Sequence, residues 1–244
     1  MRVQDASSAL ASRPTLLLLS GLLCDEATWQ GVEAALGGAA AVATFKFPDF
    51  SSIEAMAAHV LARAPQRFAL AGHSMGGRIA LEIARMAPER VVALALLNTG
   101  VHPPAPHEPG SRGRLVDIAR TRGMRALAAE WLPPMLGQRA ARDAALVTNL
   151  TAMIERSSPE SFAAQIQALL HRPDARPVLA TLRMPVLLLS ANEDKWSPPH
   201  QHAAMRELCP EAELVIVEDA GHMSPVEQPA AVAQALNQLL MRTQ

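Results

Sequence analysis

A chain of 244 residues, half of them hydrophobic, can bury one substantial core, and its formal net charge of −1, spread without blocks, lacks the basic stripe that nucleic acid binding requires. Two cysteines, Cys24 and Cys209, argue against a disulfide framework and for a reducing compartment, so a cytoplasmic location is expected. No apolar stretch approaches the roughly 18 residues of a membrane span, and a soluble protein with neither membrane span nor nucleic-acid partner is expected.

The first apolar run, "TLLLLSGLLC" from Thr15 to Cys24, follows Arg2 and Arg13 and has the outline of a secretory signal. Ser20 and Gly21 interrupt it, Asp5 precedes it, and Leu23 stands where a lipid-modified cysteine needs a small neighbour. A buried strand, Thr15 to Leu19, followed by a loop is the better reading. A helix is expected over Glu26 to Leu36, a strand over Ala41 to Phe45, a helix over Ile53 to Ala64 and a strand over Arg67 to Ala71. A helix then runs to Met86, with Ile79, Ala80, Ile83, Ala84 and Ala87 on one side, and Pro88 ends it. Strands follow over Val91 to Leu97, Val186 to Ser190 and Leu214 to Val217, and a helix over Pro229 to Met241 closes the pattern. Short apolar runs alternating with helical segments read as parallel strands buried on both faces.

Between the proline-rich link "VHPPAPHEPG" and Pro177 no strand is evident, and Ala, Leu, Met and Arg recur at helical spacing. Residues 101–177 are read as an inserted helical cap on a core formed by 1–100 and 178–244. The stripe Phe162, Ile166, Leu169 and Leu170 is packing in the first instance.

The chemistry is concentrated at Gly72-His73-Ser74-Met75-Gly76. A nucleophile on a sharp strand-to-helix turn leaves no space for side chains two residues to either side, and glycine removes the obstruction. A serine hydroxyl needs a base, and the base needs an orienting acid. Of the eight histidines, His222 follows the last strand and opens the loop before the last helix. His73 adjoins Ser74 but points elsewhere, as a packed or pocket-lining residue. Glu193 and Asp194 both lie in the loop after the strand that ends at Ser190, where sites in open α/β sheets assemble. The order serine, acid, histidine along the chain is that of α/β-hydrolases. Charge on a tetrahedral intermediate calls for N–H donors, assigned to the backbone of Met75 and, after the first strand, of Leu22, with Gly21 permitting close approach. Leu23, Trp196 and Met223 are read as bordering the substrate, and Cys24 as a small apolar filler. Among the arginines, Arg125, Arg139 and Arg172 are candidates to clamp a carboxylate.

"LLLLSGLLCDEATW", "AGHSMGGRIALEIARMAPERVVALALLNTG", "MPVLLLSANEDKWSPP" and "VEDAGHMSPVEQPAAV" together resemble the α/β-hydrolase family, in its compact, capped esterase form, over nearly the whole chain. The resemblance implies an α/β-hydrolase fold with a helical cap, and a Ser74, His222 and Asp194 triad. Asp194 is preferred to Glu193 because it keeps the family's spacing from the strand end at Ala191. About fourteen residues precede the first strand, so the family's opening hairpin is expected to be missing and the sheet to have about six parallel strands. Ser20 stands where most relatives carry histidine, which alters the loop's internal bonding. The implied activity is hydrolysis of small to medium carboxylic esters, with a small-molecule ester as substrate, neither cofactor nor metal, and the oligomeric state left open. Lactone opening, carbon–carbon bond hydrolysis, lyase chemistry and ligand sensing are the alternatives that the same fold allows.

Overall fold

The computed structural model describes residues 13–243, so Arg2 and Asp5 lie outside it. Its strands are β1 (Thr15–Leu19), β2 (Ala41–Phe45), β3 (Phe68–His73), β4 (Val91–Leu97), β5 (Val186–Ala191) and β6 (Glu213–Val217). They form one six-stranded sheet in the order β2-β1-β3-β4-β5-β6, with every pair parallel. The helices are α1 (Gln30–Leu36), α2 (Ile53–Leu61), α3 (Met75–Met86), α4 (Glu108–Arg122), α5 (Met124–Trp131), α6 (Ala144–Glu155), α7 (Pro159–Leu170), α8 (Arg176–Thr181), α9 (Pro199–Leu208), α10 (Ser224–Glu227) and α11 (Pro229–Met241).

Period-two alternation divides the core. Leu17, Leu19, Leu70, Leu94, Leu96 and Leu188 face α2, α3 and the helices inserted after β4. Leu16, Leu18, Ala69, Ala71, Ala93, Ala95 and Leu97 face Trp29, α1 and α11. Each fully buried leucine is worth about 1.5–3 kcal/mol of transfer free energy, so the register is fixed by both faces at once. Among the described residues no helix is long and apolar enough to cross a membrane.

The expected helix over Glu26 to Leu36 is divided. A 3-10 turn over Glu26–Thr28 is capped by Asp25, whose Oδ1 accepts from Ala27 N at 2.9 Å, and the α-helix begins only after the buried Trp29. The link after β4 is shorter than its prolines suggest. Pro109 suits a first helical turn, where its missing N–H is not needed, and α4 begins at Glu108. The helices between β4 and β5 are α4 to α8, and α8 straddles residue 177. Helix α9 lies between β5 and β6 and opens with Pro199 in its first turn.

The strand order reverses between β1 and β3, whose connections leave to opposite sides. Such a switch point opens a crevice at the carboxyl ends of the strands. Register brings Leu19 beside Gly72, His73 beside Leu97, Leu97 beside Leu189 and Ala191 beside Val217, so the loops after these strands all open at one edge.

Candidate active site

Ser74 occupies the single residue between β3 and α3 with φ 55 and ψ −114. A backbone conformation of this kind costs on the order of 1–3 kcal/mol and persists only where its surroundings enforce it. Here Ser74 N donates to Leu97 O at 2.9 Å, while Ser74 O accepts from Thr99 Oγ1 at 2.7 Å and Gly77 N at 3.0 Å. A Cβ on Gly72 would overlap the backbone of Gly76, and one on Gly76 would overlap Leu19 O, so the turn closes only with glycine at both positions.

The Ser74 Oγ–H donates to His222 Nε2 at 2.9 Å, and His222 Nδ1 lies 3.1 and 3.0 Å from the two oxygens of Asp194. A carboxylate only accepts, so Nδ1 carries the proton and Nε2 is left with its lone pair toward the hydroxyl. Asp194 Oδ1 also accepts from Trp196 N at 2.8 Å and Ser197 N at 2.9 Å, and Oδ2 from Asn98 Nδ2 at 2.9 Å. Burial pushes against the charged form, but His222 and these donors outweigh it and hold the carboxyl below its ordinary range. Asn98, at φ 48, is itself oriented by Ser224 Oγ, which donates to Asn98 Oδ1 at 2.5 Å. Glu193 faces outward instead, accepting from Gln138 N at 2.6 Å.

The loop that carries His222 is tied down on all sides. His222 N donates to Met135 O at 2.7 Å. The Glu227 carboxylate accepts from Gly221 N at 3.0 Å, Gly137 N at 2.9 Å and Met223 N at 3.1 Å. Burial pushes the Glu227 carboxyl up despite these three donors. The ring of His73, buried edge-on to Trp29, donates Nε2–H to His222 O at 2.7 Å. Desolvation, with His222 close by, lowers His73 to about 3, so its ring is neutral at ordinary pH.

A Cβ placed on Gly21 would lie 3.2 Å from the Ser74 Cβ, which brings the loop after β1 directly against the serine. Leu22 and Met75 border the same cavity as Ser74, and among the described residues neither N–H has a protein acceptor. Leu23, at φ 61, donates its N–H to Gln165 Oε1 at 3.0 Å, and Gln165 Nε2 in turn donates to Phe47 O at 2.8 Å. A side chain of α7 thereby shapes the loop that bears Leu22. Cys24 is buried and its thiol is pushed up to about 12, which suits a filler and not a nucleophile.

The cavity has a volume of about 510 Å³. Ser74, His222, Leu22 and Met75 border it, Leu115, Trp131, Met135 and Leu169 supply apolar surface, and Arg78, Glu108, Arg112 and Arg172 make it charged. Of the residues read as bordering a substrate, Trp196 lines the cavity and is 42% exposed. Leu23 and Met223 do not line it. Both are buried in the apolar core, because the bond to Gln165 and the Glu227 clamp set the course of their loops. Arg125 is exposed and paired with Glu155, Arg139 is exposed, and only Arg172 of the three candidates reaches the cavity. Arg78 was passed over as part of a helix; its place four residues after Ser74, on the same helical face, is the signal that identifies it.

A family model described as the alpha/beta hydrolase family matches residues 16–235. The chain is 30% identical over 204 residues to a pimeloyl-[acyl-carrier protein] methyl ester esterase of Klebsiella pneumoniae, covering 79% of this chain and 76% of that protein. It is 27% identical over 250 residues to a 2-succinyl-6-hydroxy-2,4-cyclohexadiene-1-carboxylate synthase of Salmonella paratyphi C, covering 93% and 94%. Among solved structures, a malate-bound thermophilic esterase from Thermogutta terrifontis superposes with TM-score 0.84 at 28% identity, over 94% of this chain and 90% of that one.

Proposed function

The chain belongs to the alpha/beta hydrolase family, and on that footing we propose that it hydrolyses carboxylic esters of small to medium acyl groups through an acyl-enzyme on Ser74. The observation that carries this reading is the unbroken contact from Ser74 Oγ through His222 to Asp194, opening into a cavity large enough for a small ester.

Ser74 Oγ attacks the acyl carbonyl while His222 Nε2 takes its proton. The Oγ–carbonyl bond forms as the carbonyl π pair moves onto oxygen, where the N–H groups of Leu22 and Met75 receive it. One such donor is worth roughly 2.7–4 kcal/mol of barrier. Asp194 stabilises the imidazolium and holds its tautomer. Collapse breaks the bond to the leaving oxygen, which takes the proton from His222 and departs as an alcohol. Water then enters; His222 removes its proton, hydroxide adds to the acyl carbon, and the second collapse returns the proton to Ser74 Oγ with release of the acid. The esterase names among the relatives support the same class of bond.

The test is a panel of nitrophenyl esters of increasing acyl length, with lactones alongside, run on the wild type and on Ser74→Ala. A burst of nitrophenol followed by slower turnover is expected, and Ser74→Ala should lose on the order of 10⁴-fold or more in kcat. Turnover undiminished in that variant would rule the mechanism out.

A further inference from the structure

We propose that the ester accepted at this site carries a carboxylate, and that Arg78 is the residue that binds it. The proposal rests on the ester-hydrolase reading and adds the substrate class.

Arg78 lies on α3 one turn beyond Ser74, about 6 Å along the helix axis and on the same face. It borders the cavity that contains the Ser74 hydroxyl, and the residue is only 8% exposed. A guanidinium has five N–H donors, yet among the described residues Arg78 uses one, from Nη1 to His102 O at 2.8 Å. The neighbouring Arg172 uses all five: Nε to His102 O, Nη1 to Glu108 Oε2 and Leu169 O, and Nη2 to Glu108 Oε1 and Pro103 O. Arg112 takes the same Glu108 through Nε and Nη2.

Glu108 is therefore shared by two other arginines. The other carboxylates near Arg78, Asp174 and Glu82, are held by Arg176 and Arg85. Three guanidiniums against one carboxylate leave Arg78, Arg112, Arg172 and Glu108 with a combined charge of +2. A guanidinium buried without a counter-charge is costly. Desolvation, and then the charge of Arg172, lower Arg78 to about 9, so it still carries its charge at neutral pH.

With Nη1 engaged, the Nε–H and Nη2–H edge is the part left over. Those two parallel donors match the two oxygens of one carboxylate. A carboxylate docked there balances the buried charge and holds the other end of a short molecule within reach of Ser74, leaving Trp131 and Leu169 to pack against the carbon chain between them.

The experiment compares monomethyl esters of the C5 to C8 dicarboxylic acids with methyl esters of the matching monocarboxylic acids, followed by proton release. 4-Acetoxybenzoate against phenyl acetate tests a carboxylate in the alcohol half. At least a 10-fold higher kcat/KM is expected for the charged member of one of these sets, expressed mainly in KM. That ratio should collapse in Arg78→Gln and be partly restored in Arg78→Lys. In parallel, calorimetric titration of Ser74→Ala with free glutarate and adipate should show binding that Ser74→Ala with Arg78→Gln lacks. Wild-type turnover of neutral and charged esters at equal kcat/KM would overturn the proposal and leave the esterase reading intact. Dicarboxylate binding that depends on Arg78, without turnover of any ester, would sustain the anion site and remove the esterase reading. If Arg78→Gln does not fold, the wild-type ratio and its value in Arg78→Lys decide.

Discussion

The imidazole of His73 donates its Nε2–H to the backbone carbonyl of His222 at 2.7 Å, so the residue beside Ser74 also fixes the main chain of its partner. His73→Leu keeps the bulk and deletes the donor, while His73→Gln keeps an N–H. Misplacement of a reacting group by about 1 Å costs about 10²-fold, and a fall in kcat approaching that size is expected for the leucine variant with little change in KM. Steady-state kinetics should find the glutamine variant closer to wild type.

Acid stability follows from the same ring. Burial lowers His73 to about 3 and His202 to about 4, below the roughly 6.5 of an unfolded chain. Between those values the unfolded state binds more protons than the native one, so stability rises with pH in that window and falls on acidification. The slope reaches about 1.4 kcal/mol per pH unit for each group. Asp194, held below its ordinary value, extends the loss as pH drops beneath about 3.9. Urea midpoints from pH 8 to pH 4 should decline steadily below pH 6.5; a flat profile would contradict the burial argument.

Glu227 accepts from three backbone N–H groups of two loops. Glu227→Ala leaves all three without a partner, and a destabilisation of about 3 kcal/mol is expected in urea unfolding, because bonds to a charged acceptor are worth about 1.5–3 kcal/mol each and are not additive. Glu227→Gln should retain part of it.

Asn98 combines a left-handed backbone with an amide on Asp194. Asn98→Gly suits the backbone but loses the amide, and Asn98→Ala loses both. Both should lower kcat by about 10-fold or more, as loss of partners that orient a working group does, and only alanine should add about 1–2 kcal/mol of backbone cost in thermal or urea unfolding.

Much of the fold was legible because buried parallel strands are continuous apolar runs, and because the Ser74 turn is sterically unique. Ser74 and His222 stood out through their positions after strands, whereas position left Glu193 and Asp194 equal and only the resemblance to the family's spacing favoured Asp194; the structure brings Ser74, His222 and Asp194 into hydrogen-bond contact. Leu23 and Met223 misled because loop side chains follow no period; their directions depend on Gln165 and Glu227, which lie far off or look like surface residues in the sequence. Arg78 was hidden by its context, since one arginine on an amphipathic helix is ordinarily solvated. What distinguishes it is how its neighbours' carboxylates are already occupied, a tertiary fact.

Gln165 reaches from α7 to both Leu23 and Phe47. Helix α7 and the loop after β1 are thereby one mechanical piece. Grafting a foreign helical segment between β4 and β5 would also release the bend at residues 22–23, and the graft would have to carry its own glutamine to hold that loop in place.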